Sequence, residues 1–316
     1  MSAARNRFGS GVQLHRKHTI ATISILILVF MTIGGSALVF AGWRNRQAQE
    51  RREILALWNG GSYREAFDLS GERLAAKPTN YLFLTVHGFS AFQLAAAQIN
   101  AQDTQAYIDE CIRTLRKALL SREAAGDFRI HYVLGKAYYY KGSGYEDLAL
   151  RYLEEARDGG FSAGDMPELL GLAYAAVHDY RSSVAAFSGA LSPGDAGEDA
   201  PPDLLLLSIA RSYLALEDYG AARAYLTRLT ETSRDSAAII AAELLLGDIA
   251  VKTGDTSGAE AWYQRIIEEN GENAEARFQL GELYAQGGDA TRARAEWRRA
   301  LRTDPAHRLA RVRLNL

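Results

Sequence analysis

The sequence has almost no cysteine. Its one thiol, Cys111, excludes an internal disulfide framework and a cysteine-based zinc site, because either needs more than one sulfur. An oxidising compartment is permitted, since nothing there could mispair. Proline is scarce as well, and its six copies are spread along the chain, which excludes a Pro-rich polymer. Charge of one sign is missing: 36 basic residues meet 38 acidic ones, for a net charge of -2. Such a balance gives no general attraction to nucleic acid, and none is expected as a partner.

Catalytic patterns are missing too. There is no Gly-x-Ser-x-Gly and no His-Glu-x-x-His. Gly135-Lys136 lacks the preceding glycine and the following Ser or Thr of a phosphate-binding loop. The histidines (His87, His131, His178 and others near the ends) stand singly, as packed or exposed side chains do. No catalytic residue, cofactor or metal is expected, and the reading is of a binding protein, not an enzyme.

What the chain has in quantity is apolar surface, 48% of its residues, which excludes a disordered polymer. From Thr19 to Trp43 no side chain is charged. A helix over those residues would reach about 37 Å against a hydrocarbon core of about 30 Å. Arg16 and Lys17 close one end, and Trp43, Arg44 and Arg46 close the other, as interfacial anchors do. The expectation is a short basic segment at 1–18, then an uncleaved transmembrane helix at 19–43. The competing reading is a cleaved secretory signal, with Gly34-Gly35-Ser36 ending the apolar core and Val39-Phe40-Ala41 as the cleavage site. Basic residues are balanced across the span, so they do not orient it. A short basic N-terminus with a long C-terminal domain favours an extracytoplasmic repeat domain, and an inverted anchor is the alternative.

After residue 44 there is no strand alternation, and apolar residues recur at helical spacing. A phrase also recurs. Leu134-Gly135-Lys136-Ala137-Tyr138, Leu170-Gly171-Leu172-Ala173-Tyr174 and Leu280-Gly281-Glu282-Leu283-Tyr284 all read Leu-Gly-x-x-Tyr. Leu246-Gly247-Asp248-Ile249-Ala250 and Ile209-Ala210-Arg211-Ser212-Tyr213 vary it slightly. Small residues follow at a fixed distance (Ser183, Ala222, Ala259, Ala293), each with a bulky residue four later: Phe187, Leu226, Tyr263, Trp297. Between the beats come turns such as Gly254-Asp255 and Gly288-Asp289.

This pattern resembles the tetratricopeptide repeat, which implies an all-α, right-handed α-solenoid of about seven helix pairs over residues 47–305. The Gly or Ala admits a close helix approach, the Tyr fills the gap beside it, and the second small residue admits the partner helix. The first repeat begins near Gln47. The second begins at Tyr81, with Cys111 as a buried small residue and an insertion around Ala96–Gln105. The third carries two extra residues, and the last four begin near Gly164, Asp203, Ile240 and Ala274. Residues 192–202 read as a flexible joint or a tolerated insertion, and 306–316 as a short capping segment.

The resemblance also implies a concave groove lined by five positions of each first helix. These are Leu82, Thr85, Phe89, Phe92 and Gln93 in repeat two, and Arg129, Tyr132, Lys136, Tyr139 and Tyr140 in repeat three. Repeat five adds Leu204, Leu207, Arg211, Leu214 and Ala215. A partner-binding groove is therefore expected at Phe89, Phe92, Arg129, Tyr132, Lys136, Tyr139, Tyr140 and Arg211, aromatic and mildly basic. The bland alternative is that several of these aromatics pack between repeats. A second patch, Arg292, Arg294, Arg298, Arg299, Arg302, Arg308, Arg311 and Arg313, is opposed only by Glu296 and Asp304. It reads either as a solvated capping face or as a surface for an acidic partner or anionic headgroups. Together these imply a membrane-anchored scaffold whose groove binds protein partners of a membrane or envelope complex. It is similar to the anchored repeat proteins of bacterial inner membranes, including their secretion, biogenesis and motor scaffolds. The alternatives are an envelope chaperone or carrier, and a cytoplasm-facing adaptor.

Overall fold

The computed structural model describes residues 40, 42–98, 100–191 and 201–316. The expected span at 19–43 lies almost entirely outside the described residues, as do 192–200 of the expected joint. Among the described residues no helix is long and apolar enough to cross a membrane.

The described residues form fifteen α-helices and no strand, in two compact units that divide between Ala124 and Ala125. The first unit holds α1 (42–59), α2 (Tyr63–Ala76), α3 (Tyr81–Ala96) and α4 (Ala101–Ala118), followed by a single 3-10 turn, Arg122–Ala124. Its core joins Ile54, Ala66, Phe83 and Val86. Helix α3 packs against both α2 and α4, and apolar residues occupy nearly its whole circumference, the composition of a helix buried on several sides. Asn80 caps it by accepting a hydrogen bond from Phe83 N at 3.1 Å. The insertion expected around Ala96–Gln105 is smaller than that. Helix α3 ends at Ala96 and α4 begins at Ala101, so α4 takes up the rest as an 18-residue helix. Cys111 is fully buried on α4, and that burial pushes its thiol pKa well up.

The second unit is a run of pairs: α5 (Phe128–Lys141) with α6 (Glu146–Asp158), α7 (Met166–Ala176) with α8 (Tyr180–Ser188), and α9 (Asp203–Ala215) with α10 (Tyr219–Thr232). Then come α11 (Ser236–Lys252) with α12 (Thr256–Glu269), and α13 (Ala274–Gln286) with α14 (Ala290–Thr303). Each second helix also packs against the first helix of the next pair, and the short α15 (Arg308–Arg313) lies on α14. Helices α8 and α9 join in this way through Phe187, Leu205 and Ile209 and through a 3.0 Å contact between the Ser183 and Ser212 hydroxyls.

The recurring phrase has a direct steric cause. A β-carbon at Gly281 would stand 2.6 Å from the Trp297 ring, far inside van der Waals contact, so only glycine lets α13 and α14 close on that indole. Gly171 meets Phe187, Gly247 meets Tyr263 and Gly135 meets Leu153 in the same way. The turns obey a second rule. A residue with positive φ ends the first helix, and an Asp then caps the second. Asp179, Asp218, Asp255 and Asp289 accept from Ser182, Ala221, Gly258 and Arg292 backbone N–H groups at 2.9–3.1 Å.

Some expectations shift. Helix α11 starts at Ser236, not near Ile240, because Asp235 caps it at Ala237 N (2.9 Å) and Ala238 and Ala242 are buried. Helix α7 starts at Met166, with Pro167 in its first turn. The motif tyrosines also reach further than the gap within their own pair. Tyr174 and Tyr284 donate to Glu154 and Glu260 of the preceding pair, at 2.6 and 2.7 Å.

Candidate functional site

The first helix of the pair α5/α6 brings together most of the expected groove residues. Tyr132 and Lys136 lie one turn apart on α5, so their side chains share a face. Asp165, which precedes α7, reaches both: it accepts from the Tyr132 hydroxyl, and from Lys136 Nζ at 2.7 Å. Lys136 Nζ also lies 3.1 Å from the Tyr132 oxygen and 5.1 Å from the centre of its ring. Phe161, in the loop before α7, packs on Tyr132 with ring centres 5.1 Å apart.

Each member of this cluster alters the others' protonation. Burial raises the Tyr132 phenol, the Asp165 carboxylate adds to the rise, and its pKa stands at about 12. Burial would lower the Lys136 pKa, but the bonds to Asp165 and Tyr132 outweigh it and hold it above the ordinary lysine value. Burial likewise opposes ionisation of Asp165, and Lys136 and Tyr132 overcome it, so its pKa is lowered. At neutral pH the three form a fixed neutral phenol beside an ammonium–carboxylate pair.

Around this cluster stand the remaining residues of α5. Tyr139 is half-buried and Tyr140 is 54% exposed, their rings meeting edge to face at 5.7 Å. Burial raises the Tyr139 phenol, with Tyr140 and Glu168 adding to the effect. Arg129 is exposed and forks onto Asp127 through two bonds of 2.7 and 2.6 Å. The surface is therefore aromatic and slightly acidic, not mildly basic, because Asp127, Asp165 and Glu168 stand against Arg129 and Lys136. Applying the same lining positions to the repeat at Gly164 selects Asp165 and Glu168, so the sequence carries the signal for these acidic partners.

The other expected lining residues do not join this surface. Phe92 is buried, as are Thr85 and Leu207, because α3 and α9 are packed on more sides than a groove-lining helix. Phe89 is half-buried against Trp58 of α1 at 6.0 Å and belongs to the first unit. Arg211 is exposed on α9, and among the described residues no interaction links it to the Lys136 cluster. The arginine patch is more neutralised than its sequence suggests. Arg292 pairs with Asp289, Arg299 with Glu296, and Arg313 forks onto Glu282 at 2.9 and 2.6 Å. Among the described residues no cluster of His, Cys, Asp and Glu is arranged to hold a metal ion.

Comparison with known proteins agrees with this architecture. No curated protein matches the sequence. The fold is similar to the crystal structure of the C-terminal part of a TPR repeat-containing protein from Cytophaga hutchinsonii. That match has 17% identity, covers 82% of this chain and 97% of that one, and has a TM-score of 0.57. It is also similar to PilW, a widely conserved type IV pilus biogenesis factor, with 16% identity, 72% and 98% coverage and a TM-score of 0.55. A tetratricopeptide-repeat family model matches residues 207–274 and 244–308. Proteins of this type are in general non-enzymatic scaffolds that bind other proteins. The family match covers residues 207–308, and the repeating glycine contacts and Asp-capped turns carry a similar helix-pair pattern through the second unit.

Proposed function

We propose that the chain is a membrane-anchored scaffold that recruits protein partners to a membrane or envelope complex through the face of α5 and the start of α7. The observation that carries this reading is the Tyr132–Lys136–Asp165 cluster. It fixes three side chains from two successive repeats before any partner arrives, so little rotamer entropy is left to lose on binding. Tyr140 stands exposed beside it as an aromatic anchor of the kind that dominates protein interfaces. The anchor is the uncharged run 19–43, and an extracytoplasmic repeat domain follows from the short basic leader. PilW, a protein of similar fold at 16% identity, is a type IV pilus biogenesis factor.

Two measurements on the full chain test this reading. Carbonate washing should leave the protein in the membrane pellet and detergent should release it, and a mature N-terminus at Gly42 would replace the anchor with a cleaved leader. A photo-crosslinking residue at Tyr140 should give discrete protein adducts in native membranes, while the same residue at Arg151 on α6 should give none. Equal labelling at both positions, or no adduct at Tyr140, would remove this face as the recruiting surface.

A further inference from the structure

A second surface lies on α14 and α15. This pair holds a depression of about 660 Å3 lined by Arg298, Arg299, Arg302, Leu301, Leu314 and Leu316. Leu316 is 72% exposed, and Val312 and Leu309 nearby are 63% and 47% exposed. Along the flank of α14, Arg294, Arg298 and Arg302 recur at every fourth residue, which places them in one stripe. All three are exposed, and they make no ion pair with any described residue, unlike Arg292, Arg299 and Arg313.

The preceding repeat provides an internal control. Thirty-four residues earlier, α12 carries Glu260, Gln264 and Glu268 where α14 carries Arg294, Arg298 and Arg302. Ile267 stands where Leu301 stands, and there it packs with Leu280 and Leu283 of the next helix pair. Glu260 accepts a hydrogen bond from the next pair's Tyr284. The same geometric surface receives α13 in one repeat and the short α15 in the other, where Leu301 and Leu314 pack on the terminal core and the flanking charge is reversed. A surface for a further copy of this repeat would keep the glutamate, and the arginines stand in its place.

We infer that this face of α14 and α15 docks an acidic amphipathic helix of a partner protein. The apolar side of that helix sits on Leu301, Leu314 and Leu316, and its carboxylates face the Arg294–Arg298–Arg302 stripe. The inference is independent of the α5 surface and survives its failure. Charge complementarity selects the occupant: Arg294, Arg298 and Arg302 are left without an ion-pair partner among the described residues, while the neighbouring Arg292, Arg299 and Arg313 are paired. The depression favours side chains over a flat layer of headgroups, because an apolar seat with charge on one flank matches the two faces of such a helix.

The test uses the full chain in nanodiscs and a fluorescent 18-residue peptide with leucine on one face and glutamate on the other. The peptide should bind, and more weakly as salt rises from about 0.05 to 0.5 M, because exposed pairs are screened over a few ångströms at high salt. Arg298→Glu with Arg302→Glu should weaken it at least about ten-fold, the size expected for reversing two interfacial charges. A lysine version of the peptide should ignore the wild type and bind that variant, a rescue that a misfolded variant could not show. Failure of the glutamate peptide to bind, equal binding of a sequence-scrambled peptide, or absence of the lysine rescue would each overturn the inference. Loss of peptide binding in phosphatidylserine-containing nanodiscs, with binding kept in phosphatidylcholine ones, would reassign the face to lipid.

Discussion

The first unit and the second close their helix pairs by the same device, but they pin them with different groups. In both, a glycine sits under a large side chain: Gly88 under Leu115 in the first, and Gly281 under Trp297 or Gly171 under Phe187 in the second. The second unit adds exposed Asp caps and tyrosine–carboxylate bonds between pairs. The first adds a buried polar chain instead. The Ser70 hydroxyl lies 3.0 Å from His87 Nδ1, which also faces the Phe67 carbonyl at 3.0 Å, while His87 Nε2 faces Glu110 at 3.1 Å. Phe67 stacks on the His87 ring at 4.1 Å, and Thr114 and Arg113 complete the Glu110 shell. Both ring nitrogens face acceptors, so the imidazole locks α2, α3 and α4 together. The regular unit repeats one set of local contacts and caps, whereas the unit that departs from the repeat holds its geometry by a buried polar chain of its own.

Breaking the polar chain should have the largest effect. Glu110→Ala leaves His87 Nε2 without its partner, and removal of one partner from such a buried pair costs about 3 kcal/mol. Hydrogen exchange should show the loss confined to α2–α4, and spreading of the loss into the second unit would contradict the division. The same group has a pH signature. The hydrogen bond from His87, opposed by burial, lowers the Glu110 pKa to about 2. Its stabilisation is therefore full above the unfolded carboxylate value and lost as pH falls from about 4.5 toward 2.

Gly281→Leu should come next, costing about 1–3 kcal/mol by overpacking against Trp297, with exposed Arg302→Gln as a near-neutral control. Parallel melting of the two variants would mean that α13 and α14 do not depend on this contact. A third substitution has the opposite sign. Glu243 on α11 is fully buried, neither carboxylate oxygen accepts a hydrogen bond, and only Arg265 approaches, at 3.1 Å. Burial raises its pKa, so its charged form opposes folding above the unfolded carboxylate value and ceases to do so once protonated. Glu243→Gln should raise the melting temperature at pH 7 and bring no gain near pH 4, and a constant gain would assign the effect to packing.

The smallest effect separates repeats within the second unit. The turn before the capping Asp uses Gly254 and Gly288 in two repeats but His178 and Glu217 in two others, all at φ between 59° and 83°. A side chain in that region costs about 1 kcal/mol, part of which glycine returns as unfolded-state entropy. Glu217→Gly should therefore raise the melting temperature slightly, while Gly288→Glu should lower it. Equal, null results in a thermal scan would mean that the turns carry no strain.

The repeats of the second unit were legible because each important contact is local in sequence. A glycine and the ring that covers it lie 16 residues apart, and the capping Asp stands at a fixed place between them. Long-range polar pairing was not legible. Nothing in the spacing of Ser70, His87 and Glu110 distinguishes a buried chain from three solitary residues, and the same holds for Arg313 and Glu282. The expected groove failed at Phe92 and Leu207 for a related reason: lining positions presume that a first helix is covered on a standard set of sides, and α3 and α9 are covered on more. Helix starts shifted where a local cap, such as Asp235, overrode the repeat register.

The contact between Ser183 and Ser212 bears on how such a chain can change over time. The segment between α8 and α9 is the longest interruption of the second unit, yet the two helices meet directly through Phe187, Leu205 and Ile209. Register at that boundary is set by matching surfaces and not by the length of the connection. Sequence inserted there does not alter what lies on either side, so the boundary is a place where the chain can acquire new segments without rebuilding its neighbours.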